Sequence, residues 1–276
     1  MTQRMPMGAH DISNIGLILA AASLAVSVVV YAFTKVGLIR DLFISMGRMG
    51  IQLGLVGLYL TGLFRLNHPL VNIGYVLLMM GAANYSVLKN TGLKQSMFVY
   101  TFPATLISVG AVGLYFMTLV FQPQPLYDAR YLIPISGMLL GNSMNRTIIT
   151  LERFYSSVRK DESGYSALIA MGATVNEATS SNLKTAYRAG LGPALANLAT
   201  MGIVSLPGMM TGQILGGSDP SVAIKYQVAI ILAIYVATDL SALLCITFSK
   251  RKGFTPYGFL NHDIFKGKSS AASGST

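Results

Sequence analysis

The sequence predicts an all-α, polytopic membrane protein, and two observations lead to that prediction. The first is composition: 53% of the 276 residues are hydrophobic and only 11% are charged, whereas soluble domains carry roughly 25% charged residues. The second is arrangement, because the apolar residues form runs near the ~20 residues that a helix needs to cross a bilayer. The net charge of +10 lies between these runs and at the C-terminal end, which indicates membrane topology and not a nucleic-acid partner.

Seven of these runs are predicted to be transmembrane helices. In chain order they are residues 12–33, 49–64, 69–88, 97–120, 132–151, 193–212 and 222–248. The second run is short, and residues 36–48 before it mix apolar with basic side chains, as helices lying in the membrane interface do. An N-terminal elbow-type interfacial helix is therefore expected before the second span.

The distribution of Lys and Arg predicts the orientation. If the N-terminus is outside, 15 of the 20 Lys and Arg residues fall on the inner side, four fall outside, and Arg146 lies within a span. Basic residues concentrate on the cytoplasmic side of membrane proteins. The N-terminus is therefore expected outside and the C-terminus in the cytoplasm, in an inner or plasma membrane. Residues 1–268 are interpreted as a single transmembrane domain, and residues 269–276 as a linker or an expression-tail remnant.

One cytoplasmic connection, residues 153–192, is much longer than the others. Its start is expected to continue the fifth helix into the cytoplasm. Residues 167–178 then place Leu168, Met171 and Val175 at spacings of three and four, which predicts a short amphipathic helix. Because this helix is poor in Lys and Arg, the pattern favours a docking surface for another protein over a lipid anchor.

The sixth run contains the stretch GIVSLPGMMTGQILGGSDP, residues 202–220, which is rich in helix-breaking residues. Pro207 removes a backbone donor and Gly208 supplies a flexible joint. Backbone groups freed within a membrane need protein or water partners, so residues 204–213 are expected to form an interrupted helix beside a translocation path. The alternative is a proline kink that only serves helix packing.

Polar side chains within the spans are candidates for the lining of that path. Asn145 and Arg146 lie three and four residues after Asn142, about one helical turn, so the three are expected to share a face. Arg146 either faces a cavity or extends to the nearby interface. Asp239 lies inside the last span, either on the path or hydrogen-bonded in the packing. Met209, Met210 and Gln213 from the broken helix complete the candidate set.

A metal-binding cage is not indicated by the sequence. The three His residues, His10, His68 and His262, lie outside the predicted spans, and Cys245 is the single cysteine. The fifteen Met residues are soft ligands that suit Cu(I) better than iron. Adaptable packing is the other interpretation of these methionines, and the favoured one.

Several motifs carry a resemblance to known permeases. Gly172-Ala173-Thr174 followed by Glu177-Ala178 resembles the cytoplasmic loop of ABC importer permeases, although Ser166 stands where those carry Glu. The strings RYLIPISGM from Arg130, GNSM from Gly141 and SLPGMMTG from Ser205 are similar to the FetB-like family. That family comprises iron-export ABC permeases related to plant aluminium-tolerance membrane proteins. The resemblance covers residues 12–255 and is densest over residues 130–227.

The resemblance implies the permease subunit of an ABC transporter, an exporter of iron or another metal. It implies two copies of this chain and two ATP-binding subunits, which would bind ATP and Mg, with no cofactor in this chain. The segment 167–178 would be the cytoplasmic coupling helix that docks the ATPase. The residues assigned to coupling are Ala167, Leu168, Met171, Gly172, Ala173, Thr174 and Glu177.

Other functions remain open at this point. No ATPase site is expected in the chain: Gly267-Lys268-Ser269 ends like a phosphate loop, but His262 stands where that loop needs Gly. An ion-coupled secondary transporter or channel would explain the broken helix and Asp239, but not the Gly-Ala-Thr loop. An enzyme is not indicated, because paired carboxylates, His-rich motifs and a nucleophile with a base are lacking.

Overall fold

The computed structural model describes residues 12–266, and their regular structure is helical. The α-helices follow in chain order: α1 Asn14–Ala22, α2 Leu24–Thr34, α3 Ile39–Leu66, α4 Pro69–Asn90, α5 Phe98–Tyr115, α6 Ala129–Lys160, α7 Glu162–Ala170, α8 Val175–Ala178, α9 Ser180–Thr200, α10 Gly208–Leu215 and α11 Pro220–Gly253. A π-helical turn, Phe116–Phe121, extends α5. The predicted tail, residues 269–276, and the Gly267–Ser269 motif lie outside the described residues.

Within residues 12–266, five segments are long and apolar enough to cross a membrane: Asn14–Thr34, Ile39–Leu66, Pro69–Asn90, Gln95–Phe121 and Pro220–Gly253. They coincide with the predicted first, second, third, fourth and seventh spans, so the prediction of an all-α, polytopic membrane protein is confirmed. The predicted fifth and sixth spans correspond to α6 and to α9 with α10. Helices α6 and α9 carry more polar residues than the five segments, and α10 has only eight residues because the break separates it from α9. A total of seven spans remains a prediction.

Helices α1, α2 and α3 form an N-terminal arm that contains no buried residue. Lys35 ends α2 in a left-handed conformation, with φ of 53°. The separate elbow helix predicted at residues 36–48 is wrong, because α3 runs unbroken from Ile39 to Leu66. Single glycines such as Gly47 and Gly50 cost only about 1 kcal/mol each in a helix, which is too little to end it.

The remaining helices form a bundle in which α5 and α6 pack against α11, while α4 and α9 pack against α6. Its core has two apolar clusters. The Leu139 cluster includes Val76, Met80, Val109, Phe116, Leu139 and Ala233. The Tyr155 cluster includes Leu88, Leu93, Met97, Phe154, Tyr155, Tyr165, Ile246, Phe254 and Ile264. The second cluster joins the ends of the long helices to the connections that follow them.

The long connection, residues 153–192, is mostly helical. Helix α6 continues to Lys160, as predicted, and α9 already begins at Ser180. A single helix over residues 167–178 is wrong, because Gly172 adopts a φ of +93° that favours glycine and turns the chain. Thr174 then starts α8 with a capping box: its hydroxyl oxygen accepts from the Glu177 amide, and the Glu177 carboxylate accepts from the Thr174 amide.

The C-terminal segment after α11 folds back on the bundle. Phe254 pairs with Leu260, and Phe265 pairs with Leu93 in the connection between α4 and α5. The Lys266 ammonium donates to the carbonyls of Leu88 and Lys89 at 3.0 and 3.2 Å, where a cation suits the carboxyl end of α4. Gly253 permits this fold, since an added Cβ would overlap the Tyr155 hydroxyl.

Candidate functional site

A recess of about 180 Å³ lies between α6, α9 and α11. We call it the Arg146 recess. Its polar lining comprises Asn142, Arg146, Asn197, Gln227, Tyr235 and Thr238. The α11 members Gln227, Ile231, Ile234, Tyr235 and Thr238 lie on one helical face, because 227, 231, 234 and 238 are three or four residues apart and Tyr235 is four residues after Ile231.

A close crossing of α6 and α9 positions Arg146. Its Nη1 donates to the carbonyl of Gly190 at 3.2 Å. Gly190 is buried against Thr150, whose hydroxyl an added Cβ would overlap. The Thr150 hydroxyl in turn donates to the Arg146 carbonyl at 2.8 Å. The guanidinium therefore reaches across to α9 instead of extending along α6 to the interface.

Two lining side chains are buried without a hydrogen-bond partner. Gln227 is 8% exposed and Thr238 is 4% exposed, and neither Gln227 Oε1 nor Thr238 Oγ1 has a partner among the described residues. Buried polar atoms are normally satisfied, and the exceptions call for a cause such as a ligand or water. Asn142 is different, because its Nδ2 donates to the Met138 carbonyl at 2.9 Å.

Two further recesses are lined in part by α10 or its N-cap residue. One, of about 400 Å³, contains Pro207 and Met210 and shares Leu198, Met201, Gln227 and Ile231 with the Arg146 recess. The other, of about 990 Å³, contains Met209 and Gln213 together with Arg130, Tyr131 and Tyr226. Helix α10 thus borders both recesses, and the break before it borders the first.

The break itself consists of residues 201–207. Gly202 adopts a φ of +86°, and its amide donates to the Ser205 carbonyl at 2.9 Å, so part of the freed backbone is satisfied locally. Pro207 is the N-cap residue of α10 and Gly208 its first residue. The interruption begins three residues earlier than the predicted segment, residues 204–213.

Two predicted path residues lie apart from these recesses. Asn145 is exposed on α6 and lines none of them. Asp239 is partly buried on α11; its backbone carbonyl accepts from the Tyr187 hydroxyl at 3.3 Å, and its Oδ1 has no partner among the described residues. Within residues 12–266, no group of three or more His, Cys, Asp and Glu side chains could hold a metal ion.

Sequence reasoning missed Gln227, Thr238, Asn197 and Tyr235 as lining residues. Gln227 and Thr238 carry a usable signal, because they are polar residues inside an apolar run. Their separation of eleven residues is close to three helical turns, which puts both on one face. The side of α11 that faces α9 could not be deduced from the sequence, since α11 has buried residues on several sides.

The predicted coupling residues divide into two groups. Ala167, Leu168, Met171, Gly172, Thr174 and Glu177 are exposed, Met171 by 83%. Ala173 and Val175 instead pack against the Tyr155 cluster, so the predicted apolar face of Leu168, Met171 and Val175 is wrong. The turn at Gly172 explains this, because it reverses the side that α8 presents. Hydrogen bonds from the Thr174 side chain and amide lower the pKa of the Glu177 carboxyl.

The C-terminal segment adds residues to this end of the molecule that the sequence did not indicate. The Tyr165 hydroxyl of α7 donates to the Gly258 carbonyl, and burial raises the pKa of Tyr165 to about 12, so it stays a neutral donor. An added Cβ at Gly258 would lie 3.2 Å from Ile169. Tyr257, which is 81% exposed, and Phe259 flank this contact. We call Leu168, Met171, Tyr257 and Phe259 the Met171 surface.

Two contacts tie α8 and α9 to the bundle beside that surface. Asn182 Nδ2 donates to Ser157 Oγ at 3.0 Å, which joins α9 to α6. Lys250 Nζ donates to Asn176 Oδ1 at 3.1 Å and to Thr179 Oγ1 at 3.0 Å, which joins α8 and its C-cap residue to α11. The helices that form the Arg146 recess are therefore cross-connected near the Met171 surface.

Comparisons with known proteins place these features in a family. A profile of the "Uncharacterised protein family (UPF0014)" matches residues 14–254. The "UPF0014 membrane protein YjkA" of Bacillus subtilis is 33% identical over 78% of this chain and 84% of its own length. The "Probable iron export permease protein FetB" of Escherichia coli is 30% identical over 89% of this chain and 94% of its own.

Plant proteins also match. The "Protein ALUMINUM SENSITIVE 3" of Arabidopsis thaliana is 29% identical over 83% of this chain and 84% of its own length. No solved structure matches this chain. The profile match covers most of the chain and confirms the family resemblance inferred from the motifs. The chain is therefore a multi-pass membrane protein that belongs to the UPF0014 family.

Proposed function

We propose that this chain is the membrane-spanning permease subunit of an ABC transporter and works as an exporter of iron or another metal. The observation that carries the proposal is the connection through α9. This helix lines the Arg146 recess with Ala194, Asn197 and Leu198, and its other end follows directly on the exposed segment α7–α8. Helix α9 thereby joins the Arg146 recess, where cargo would bind, to the segment α7–α8, where an ATP-binding subunit would dock.

The assembly we propose contains two copies of this chain and two ATP-binding subunits. ATP and Mg belong to those subunits, and this chain binds no cofactor. The E. coli relative is named a permease for iron export, which supports the cargo and the direction. The path runs along Asn142, Arg146, Met209, Met210 and Gln213 past the break at Pro207 and Gly208, while Asn145 and Asp239 lie outside the recesses that form it.

The orientation we propose has the N-terminus outside and the C-terminus in the cytoplasm, with seven spans. The distribution of Lys and Arg supports it. It also puts the Met171 surface on the cytoplasmic side. Helix α6 extends nine residues past residue 151, the predicted end of the fifth span. At 1.5 Å per residue, α7 then begins about 14 Å beyond the hydrocarbon, where a soluble protein can cover the surface.

The decisive experiment pairs the purified chain with a candidate ATP-binding subunit in nanodiscs and measures ATP hydrolysis. We expect the chain to stimulate hydrolysis, and Leu168→Asp with Met171→Asp to abolish both stimulation and co-purification. Val36→Asp with Leu38→Asp is the matched control, because it places two acids at exposed apolar positions in the α2–α3 connection. If the Leu168 and Met171 variant still stimulates hydrolysis fully, the docking role is refuted.

A second function, ion-coupled secondary transport, is favoured by one observation. Asp239 lies in α11 with an unpartnered buried Oδ1, and an intramembrane carboxylate is a candidate coupling site. That function requires transport driven by a proton or sodium gradient without any ATPase, and its loss in Asp239→Asn. Uptake into vesicles that contain the chain alone, with and without an imposed gradient, separates the two functions.

A further inference from the structure

The Arg146 recess has a distinctive charge. Of the described residues, Arg146 is the one charged side chain in its lining. Within residues 12–266 the one ion pair closer than 4.0 Å joins Glu162 to His262, far from the recess in sequence and on other elements. The recess therefore presents a positive charge without a carboxylate beside it, at a depth where a charge is expensive unless it is paired or solvated.

The Arg146 guanidinium is held in place, but most of its N–H donors make no described hydrogen bond. Of its five N–H donors, the hydrogen bonds described use one, to the Gly190 carbonyl. The close crossing at Gly190 and Thr150 fixes the backbone on both sides of that bond. The other donors remain for a ligand in the recess.

The remaining lining adds neutral polar groups, two of them unsatisfied. Thr238 offers a hydroxyl donor and Gln227 an amide with donor and acceptor, and both are more than nine-tenths buried. Among the residues that the structure describes, no carboxylate, imidazole or thiolate that could ligate a metal lines the recess. At about 180 Å³ the recess lies below the roughly 300–1,000 Å³ of sites for drug-sized ligands, which fits one small polar group.

We propose that the Arg146 recess binds an oxyanion, a carboxylate or phosphate group, through the Arg146 guanidinium with Thr238 and Gln227 as hydrogen-bond partners. A guanidinium pairs with both oxygens of such a group in a fixed geometry. The inference rests on the proposed function in one respect: if the recess is part of the export path, a metal cargo passes it as an anionic chelate and not as a free divalent cation.

An oxyanion at this site has two sources, a soluble anion or the headgroup of an anionic lipid. Arg146 lies five residues inside residue 151, the predicted end of the fifth span, which is about 8 Å of helix. A lipid phosphate would have to enter the hydrocarbon to that depth. Soluble oxyanions are therefore the expected ligand.

The test is a binding titration of the full chain in nanodiscs of neutral phosphatidylcholine, with citrate, inorganic phosphate and chelator-free Mn²⁺ as separate probes. We expect saturable binding of citrate or phosphate and none of Mn²⁺. Arg146→Gln should weaken anion binding about 10- to 100-fold, the range for loss of a hydrogen-bonded charge. Arg188→Gln is the matched control, since Arg188 is an exposed arginine on α9 outside the recess. This variant should bind the anion as tightly as the unchanged chain does.

The lipid source is tested in parallel by native mass spectrometry after reconstitution with phosphatidylglycerol. Retention of phosphatidylglycerol that depends on Arg146, together with no binding of soluble anions, would overturn the soluble-anion assignment. Saturable Mn²⁺ binding that Arg146→Gln leaves unchanged, without anion binding, would overturn the proposal altogether.

The two proposals fail separately. If an ATP-binding subunit is stimulated by the chain but no oxyanion binds, the permease role stands and the oxyanion site is refuted. If an oxyanion binds through Arg146 but no ATP-binding subunit responds, the site stands and the permease role is refuted.

Discussion

The N-terminal arm, α1–α3, and the bundle, α4–α11, are both apolar enough to hold membrane spans, yet they are packed in opposite ways. No residue of the arm is buried, whereas α4, α5, α6 and α11 each bury several residues. Apolar character alone thus does not create a packed core, because lipid is as good an environment for Leu or Val as another helix. The bundle is stabilised by close packing of side chains and by polar contacts between its helices. The arm has no such packing, so its stability depends on the lipid or protein around it.

The largest difference should appear on truncating a large aromatic side chain in each region. Phe154 is fully buried in the Tyr155 cluster, while Phe33 of α2 is 89% exposed. We expect Phe154→Ala to lower the free energy of unfolding by about 3–5 kcal/mol and Phe33→Ala to change it by less than about 0.5 kcal/mol. Denaturant unfolding in detergent micelles measures both, and equal losses would show that the arm is packed as tightly as the bundle.

A smaller effect should follow from adding a methyl group in each region. Gly190→Ala forces a Cβ against Thr150, whereas Gly54 of α3 has open space. We expect Gly190→Ala to cost about 1–3 kcal/mol through overpacking, and Gly54→Ala to stabilise the helix by about 0.5–1 kcal/mol. The same unfolding measurement applies. A loss of stability in Gly54→Ala would instead indicate that a second copy of the chain packs against α3.

The sequence predicted features that depend on local signals, and it missed features that depend on contacts between distant residues. The third span was predicted at 69–88 and found at Pro69–Asn90, because a Pro at the first helical position and an apolar run are local signals. The pairing of Leu93 with Phe265 and the close approach of Gly190 to Thr150 join residues far apart in sequence. Such contacts leave no periodic pattern, so the C-terminal fold and the lining from α11 were missed.

Surface electrostatics should give a weaker effect still. The Glu162 carboxylate of α7 lies 2.8 Å from Nε2 of His262 in the C-terminal segment, and both side chains are partly exposed. We expect Glu162→Gln to lower the free energy of unfolding by about 0.2–1 kcal/mol. Asp41→Asn in α3 is the matched control from the arm, since Asp41 has no described ion pair. Indistinguishable unfolding curves for Glu162→Gln and the unchanged chain would mean that the pair contributes nothing.

The smallest effect concerns the capping box of α8. Its hydrogen bonds lower the pKa of the Glu177 carboxyl, so the stabilisation is present above the ordinary pKa of Glu and is lost as pH falls through the lowered value. We expect Thr174→Val to return the pKa of Glu177 towards its ordinary range. Carboxyl-selective NMR titration measures this shift, and an unchanged pKa in Thr174→Val would contradict the assigned cause.

The contacts of Asn182 with Ser157 and of Lys250 with Thr179 have a mechanical consequence. They fasten α6, α9 and α11 together at one end, while the Gly190 crossing fastens α6 to α9 farther along. A push delivered at α7 would therefore move the three helices as one rigid block, so the Arg146 recess between them would keep its shape while the block shifts relative to the other helices. We expect a disulfide between Ser157→Cys and Asn182→Cys, with Cys245→Ala, to leave transport intact; loss of transport on oxidation would show that these helices must separate.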